Sequence, residues 1–204
     1  MATPTPIERY VALGDSYTIG EGVEEGERWP NLLTTHLREA GIDIELVANP
    51  SRTGWTTERL IERELPVFDE SQPTFATLLI GVNDWVRAVT PVEFEANLIT
   101  ILDHVQAGLP DPGRLVVVTI PDFSVTPSGG DYSYGRDITG GLAGFNVITA
   151  THTARRDVPL VDIFPLSRET VGPEWVAADG LHPSAAAYVE WERLILPAAL
   201  SVLR

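Results

Sequence analysis

Five short strand-like runs, at 7–13, 42–48, 75–80, 115–120 and 159–163, recur along the 204-residue chain with helix-length segments between them. No other feature restricts the fold as much. The runs at 75–80 and 115–120 lack polar alternation, which suits strands covered on both faces. Strands separated by helices pair in parallel through right-handed crossovers. The expected fold class is therefore α/β, a five-stranded parallel sheet within a three-layer α/β/α sandwich, formed by a single domain over 1–204.

The segments between the runs carry helix signals. At 29–40, Leu32, Leu33 and Leu37 share a face and Gly41 supplies the stop. A short helix is expected at about 57–64, ended by Pro66. Thr90, Pro91 and Glu93 supply an N-cap, a first-turn proline and a capping-box acid for a helix that reaches about residue 107. Its apolar face is Phe94, Leu98, Ile101, Leu102 and Val105. Further helices are expected at 142–156 and 184–196, and 121–141 reads as a long loop of the kind that forms a binding wall.

Charge and composition remove several classes of function. The chain has 14 basic and 29 acidic residues, a net charge of −15, and every basic residue is an arginine. Nucleic acid and anionic membrane are poor partners for such a surface. Without lysine there is no Schiff base and no phosphate-loop lysine, and without cysteine no disulfide, thiol nucleophile or thiolate metal site. The start at 1–6 has neither a basic nor an apolar stretch, and no apolar run is long enough to span a bilayer. A cytoplasmic location is expected, with secretion only if a leader precedes this start.

In open parallel sheets, ligands bind beyond the carboxyl ends of the strands. Ser16 follows the first run, Gly54 the second and Asn83 the third, while His182 lies in the loop after the fifth. Gly14, Asp15 and Ser16 form either a plain turn or a tight strand exit that presents the Ser16 hydroxyl as a nucleophile. In the stretch 179–183, Asp179 is placed to orient His182 as a base, although Pro183 and Ser184 also read as the start of a helix. Asn83 is either a turn cap or an oxyanion donor, and Gly54 offers only its backbone N–H.

Together these blocks resemble the SGNH, or GDSL-type, hydrolase family of esterases and lipases. The blocks are Gly14–Asp15–Ser16, the glycine ending 49–54, Gly81–Val82–Asn83, and 179–183. The resemblance implies a flavodoxin-like SGNH hydrolase fold, a catalytic triad of Ser16, His182 and Asp179, and an oxyanion hole built from the Ser16 and Gly54 N–H groups and the Asn83 amide. Tyr17 stands where the family name expects leucine, which leaves the chemistry intact and alters the local pocket.

Tyr17, Arg52, Trp55, Trp85, Phe123, Tyr132 and Tyr134 are the candidate substrate contacts, each with surface exposure or packing as its ordinary alternative. The polar content of 121–141 suits short acyl groups, acetyl to butyryl, on a soluble alcohol such as a carbohydrate. No cofactor and no metal are expected. His36, His104 and His152 lack ligand spacing, and a dinucleotide fingerprint begun at Gly20 and Gly22 fails at Glu25. Asp15 and Asp84 are expected to cap turns. The expected partner is thus a small-molecule ester, with no nucleic acid and no membrane. Thioesterase, lysophospholipase and acyltransferase activity would use the same site, and a non-catalytic ester- or nucleotide-binding module is the reading of another class.

Overall fold

The computed structural model describes residues 7–204; the start at 1–6, read above as lacking a leader, lies outside the described residues. The chain runs β1 (Glu8–Gly14), α1 (Ser16–Ile19), α2 (Trp29–Glu39), β2 (Ile44–Ala48), α3 (Thr57–Ser71), β3 (Phe75–Leu79), α4 (Val82–Val86), α5 (Pro91–Gly108), β4 (Leu115–Val118), α6 (Ile138–Ala154), β5 (Leu160–Val161), α7 (Phe164–Glu169) and α8 (Ala185–Leu203). The five strands form one parallel sheet in the order β2-β1-β3-β4-β5. Helix α2 packs on α8, while α5 packs on α3 and α6, giving the α/β/α layering expected from the alternation.

Strand order reverses at β1. The chain steps from β1 outward to β2, then returns to place β3 on the other side, so the carboxyl ends of β1 and β3 diverge into a crevice. Both strands are deeply covered, as is β4 beyond them. Every residue of β3 is buried, as are Tyr10 to Gly14 of β1. Their Val, Leu, Ala and Phe side chains lack alternation because helices cover both faces.

Three helix limits differ from the sequence reading. Helix α3 passes through Pro66 and continues to Ser71. Pro66 lies on the exposed face, as does Glu62, whose carbonyl loses its helical partner, while Leu65 and Phe68 are buried around it. Fully burying such a side chain is worth about 1.5–3 kcal/mol, the size of the proline penalty. By the same logic α8 passes through Pro197 and buries Ala199 and Leu203 beyond it. Helix α6 starts at Ile138 rather than 142, because Asp137 accepts from the Gly140 N–H at 3.0 Å and launches it through the glycines.

The stretch 121–141 is built rather than slack. It contains two single turns of 3₁₀ helix, Phe123–Val125 and Gly129–Tyr132, and its last residues belong to α6. The Ser128 N–H donates to Gly180 O at 2.9 Å, joining it to the turn that carries His182. Among the described residues, no helix is long and apolar enough to cross a membrane.

Candidate active site

Gly14 closes β1 where no larger residue fits, since a Cβ there would lie 2.2 Å from Thr18 Oγ1 and 2.3 Å from Leu79 O. Asp15 then caps α1, its Oδ1 accepting from the Tyr17 N–H at 3.0 Å. Ser16 becomes the first residue of that helix, with a backbone N–H that has no partner within the turn. Its side chain reaches the surface only through the cleft described below.

Asn83 arrives by a parallel device. Gly81 adopts φ +127 at the end of β3, and a Cβ there would press on Ile120 and Phe94 at 2.7 and 2.8 Å. The chain therefore turns at once into α4. Asn83 Nδ2 donates one hydrogen to Trp55 O at 2.9 Å, which leaves its second N–H available. Gly54, next to Trp55, adopts φ +78, and among the described residues its N–H has no acceptor.

The 179–183 turn is closed on itself. Ala177 N–H donates to His182 O at 2.8 Å, Gly180 adopts φ +74, and Val176 bridges Pro183. Asp179 Oδ1 accepts from the N–H groups of Leu181 and His182 at 2.8 and 3.0 Å, and Oδ2 lies 2.6 Å from His182 Nδ1. Partial burial pushes the Asp179 carboxyl up, but the hydrogen bonds from the His182 ring and the two N–H groups outweigh it and hold the group below the usual carboxylate range. With Nδ1 directed at this carboxylate, Nε2 of the neutral imidazole is the acceptor.

Ser16, Gly54, Asn83 and His182 all line one cleft of about 180 Å³, with Asp179 behind the imidazole. Ser16 and His182 make no hydrogen bond to each other in this arrangement, which is common before a substrate tightens such a site. Tyr17, Phe123 and Tyr132 supply the cleft's aromatic wall. Tyr17 also packs edge-on against the His182 ring, with centroids 5.9 Å apart, and against Trp191 at 5.8 Å.

The other four candidate substrate contacts lie elsewhere. Arg52 is exposed outside the cleft, and Tyr134 is 73% exposed beside Arg136. Trp55 contributes its carbonyl to Asn83 rather than its ring to the cleft. Trp85 is buried on the opposite side of α4, where Gly141 packs against its indole and Arg136 lies 4.1 Å above it. Because Asn83 faces the cleft, a residue two positions on along a helix faces away from it. Conversely, Thr53, Val82, Val86 and Leu181 line the cleft without having been singled out. The signal for them in the sequence is adjacency, of Thr53 to Gly54, Val82 to Asn83 and Leu181 to His182, and for Val86 a helical spacing of three from Asn83.

Three buried carboxyls lie beneath this surface. Asp15 is pushed up to about 8, by burial first, with the Tyr17 N–H opposing and Asp84 adding to the rise. Glu64 accepts from the Gly14 N–H at 2.9 Å and is likewise held high by burial. Asp84 is raised by burial too, against hydrogen bonds from the Thr57 N–H and hydroxyl. Asp15 thus caps its turn as expected, whereas Asp84 reaches across to the start of α3. His36 and His152 tie helices together through Glu192 and Glu95, and His104 pairs with Asp69. Among the described residues, no group of three His, Cys, Asp or Glu side chains is placed to hold a metal.

Known proteins resemble this chain over most of its length. The sequence pattern of the GDSL-like Lipase/Acylhydrolase family matches residues 12–189. An arylesterase of Vibrio mimicus is 29% identical over 180 residues, covering 88% of this chain and 82% of that protein. Thioesterase 1/protease 1/lysophospholipase L1 of Escherichia coli K12 is 27% identical over 175 residues, covering 86% and 75% respectively. Among solved structures, a crystal structure of TesA superposes with a TM-score of 0.77 at 21% identity, over 96% of this chain and 99% of that one.

Proposed function

The chain belongs to the GDSL-like lipase/acylhydrolase family and is a hydrolase that acts on esters; on that premise we propose that it works through an acyl-enzyme on Ser16. The observation that carries this reading is the His182 ring, tied at Nδ1 to Asp179 at 2.6 Å while lining the same cleft as Ser16. Ser16 Oγ attacks the ester carbonyl as Nε2 takes its proton. The resulting oxyanion is met by the Ser16 and Gly54 N–H groups and the free Asn83 N–H. His182 returns the proton to the departing alcohol, and water then repeats the sequence on the acyl-enzyme. Asp179 holds the tautomer throughout and stabilises the imidazolium.

For the substrate we propose a short acyl group, acetyl to butyryl, on a soluble alcohol such as a carbohydrate. A cleft of about 180 Å³ walled by Tyr17, Phe123 and Tyr132 suits a small acyl group better than a fatty tail. The polar surface of 128–137 beside it suits a hydroxylated alcohol. The net charge of −15 disfavours anionic lipid surfaces and nucleic acids, so the reading takes a small soluble ester as the partner and the whole chain as one hydrolase domain.

The name of the Escherichia coli relative favours a second reading, in which the same acyl-enzyme forms from a thioester or a lysophospholipid. Comparing kcat/KM for p-nitrophenyl acetate, butyrate, octanoate and palmitate separates the two. The short-acyl reading expects an optimum at or below butyrate. An optimum at octanoate or longer favours the second.

A further inference from the structure

The candidate oxyanion donors come from three separate segments, α1, the loop before α3, and α4, so something must hold them in register. Ser16 and Asn83 are set by the turns that end β1 and β3. Gly54 has no strand end directly before it and sits six residues beyond β2. Its neighbours Arg52 and Thr53 are exposed, Thr53 being tied only through its hydroxyl to the Glu21 carboxylate; its φ is +78, and among the described residues its own N–H has no acceptor. An oxyanion donor contributes to rate only if it is aimed before charge develops.

Arg87 supplies the connection. It caps the carboxyl end of α4, where its backbone N–H donates to Asn83 O at 2.9 Å. Its guanidinium Nη2 crosses to donate to Gly54 O at 2.8 Å. Next to that bond, Asn83 Nδ2 donates to Trp55 O at 2.9 Å. Two consecutive carbonyls of the loop are therefore taken by two side chains of the α4 turn. The loop's own turn is closed by the Trp55 N–H on Arg52 O at 3.2 Å. Arg114 and Arg156 direct their charge at carboxylates, Glu8 and Asp103. Arg87 directs its donor at the Gly54 carbonyl and does not line the cleft.

We infer that Arg87 is a positioning residue, which fixes the Gly54 N–H toward the developing oxyanion by holding the Gly54 carbonyl from the same turn that carries Asn83. This rests on the serine-esterase reading above. Because Arg87 touches the loop and not the substrate, its loss weakens transition-state stabilisation and leaves ground-state binding alone.

The test is steady-state hydrolysis of p-nitrophenyl acetate by Arg87→Ala, Arg87→Lys and Arg87→Met, with Ser16→Ala alongside. Arg87 is exposed, so the fold should survive; the thermal midpoint of each variant checks this. Arg87→Ala and Arg87→Met should each lower kcat about 10- to 100-fold, up to the range seen for losing one oxyanion donor, with KM within about twofold. Arg87→Lys, which keeps a donor on a long stem, should recover part of the loss. Unchanged kcat in Arg87→Ala, a loss confined to KM, or equal values for Arg87→Lys and Arg87→Met would overturn the inference. Activity persisting in Ser16→Ala would instead overturn the reading on which it rests.

Discussion

His182 and Asp179 are three residues apart in the chain, and their side chains meet at 2.6 Å inside a turn whose backbone N–H groups fill the carboxylate's other oxygen. The contact between the two side chains is therefore made within the turn itself, while Ser128 holds the turn from outside through the Gly180 carbonyl. Asp179→Asn should keep the fold and cut kcat by up to about 10⁴, because the amide supports the wrong tautomer, while His182→Ala should be nearly inactive. Stopped assays on both variants check this, and near-wild-type turnover in His182→Ala would remove histidine from the mechanism.

Asp179 also bears on the pH profile. It is held below the usual carboxylate range, so it stays ionised well into the acid range. The acid limb of kcat/KM should then carry no ionisation of Asp179, with a limiting slope of one. A slope of two would mean that a second group must also lose its proton.

Asn83 is the only side-chain donor of the proposed oxyanion hole. Asn83→Ala should cost on the order of 10²–10³ in kcat with little change in KM. A rise in KM at constant kcat would make Asn83 a substrate-binding residue instead.

Asp15 gives a stability prediction with a definite sign. Its carboxyl is pushed up to about 8 in the folded protein, against an ordinary value of 3.8 in the unfolded chain. Between those values the folded state keeps a proton that the unfolded state releases. Stability therefore falls as pH rises through that window, and the cost is full above it. Asp15→Asn keeps a capping oxygen for the Tyr17 N–H and removes the titration. Its thermal midpoint relative to wild type should rise more at pH 8.5 than at pH 5. An offset equal at both pH values would place the origin of the effect elsewhere.

The layered fold was legible because β3, β4 and residues 10–13 of β1 are compact, mainly apolar runs separated by helices with clear caps, such as Thr90 before α5. The residues facing the cleft were legible for a related reason, since Ser16, Gly54 and Asn83 each follow a strand on the same edge of the sheet. Helices α1, α4 and α7 were hidden, since four to six residues are too few to show a period. Pro66 misled because its solvent-facing position, which makes it tolerable, depends on tertiary packing. Trp85 borders Asn83 in sequence yet lies on the other face of α4. Arg87 was invisible for the opposite reason, since its partner Gly54 is 33 residues away and offers only a backbone carbonyl.

Covalent labelling tests the central claim most directly. A fluorophosphonate should modify the folded protein once, and peptide mass spectrometry should place the adduct on Ser16. Ser16→Ala, folded to the same thermal midpoint within a few degrees, should neither label nor hydrolyse p-nitrophenyl acetate. An adduct on another residue, or undiminished hydrolysis by Ser16→Ala, would contradict the account.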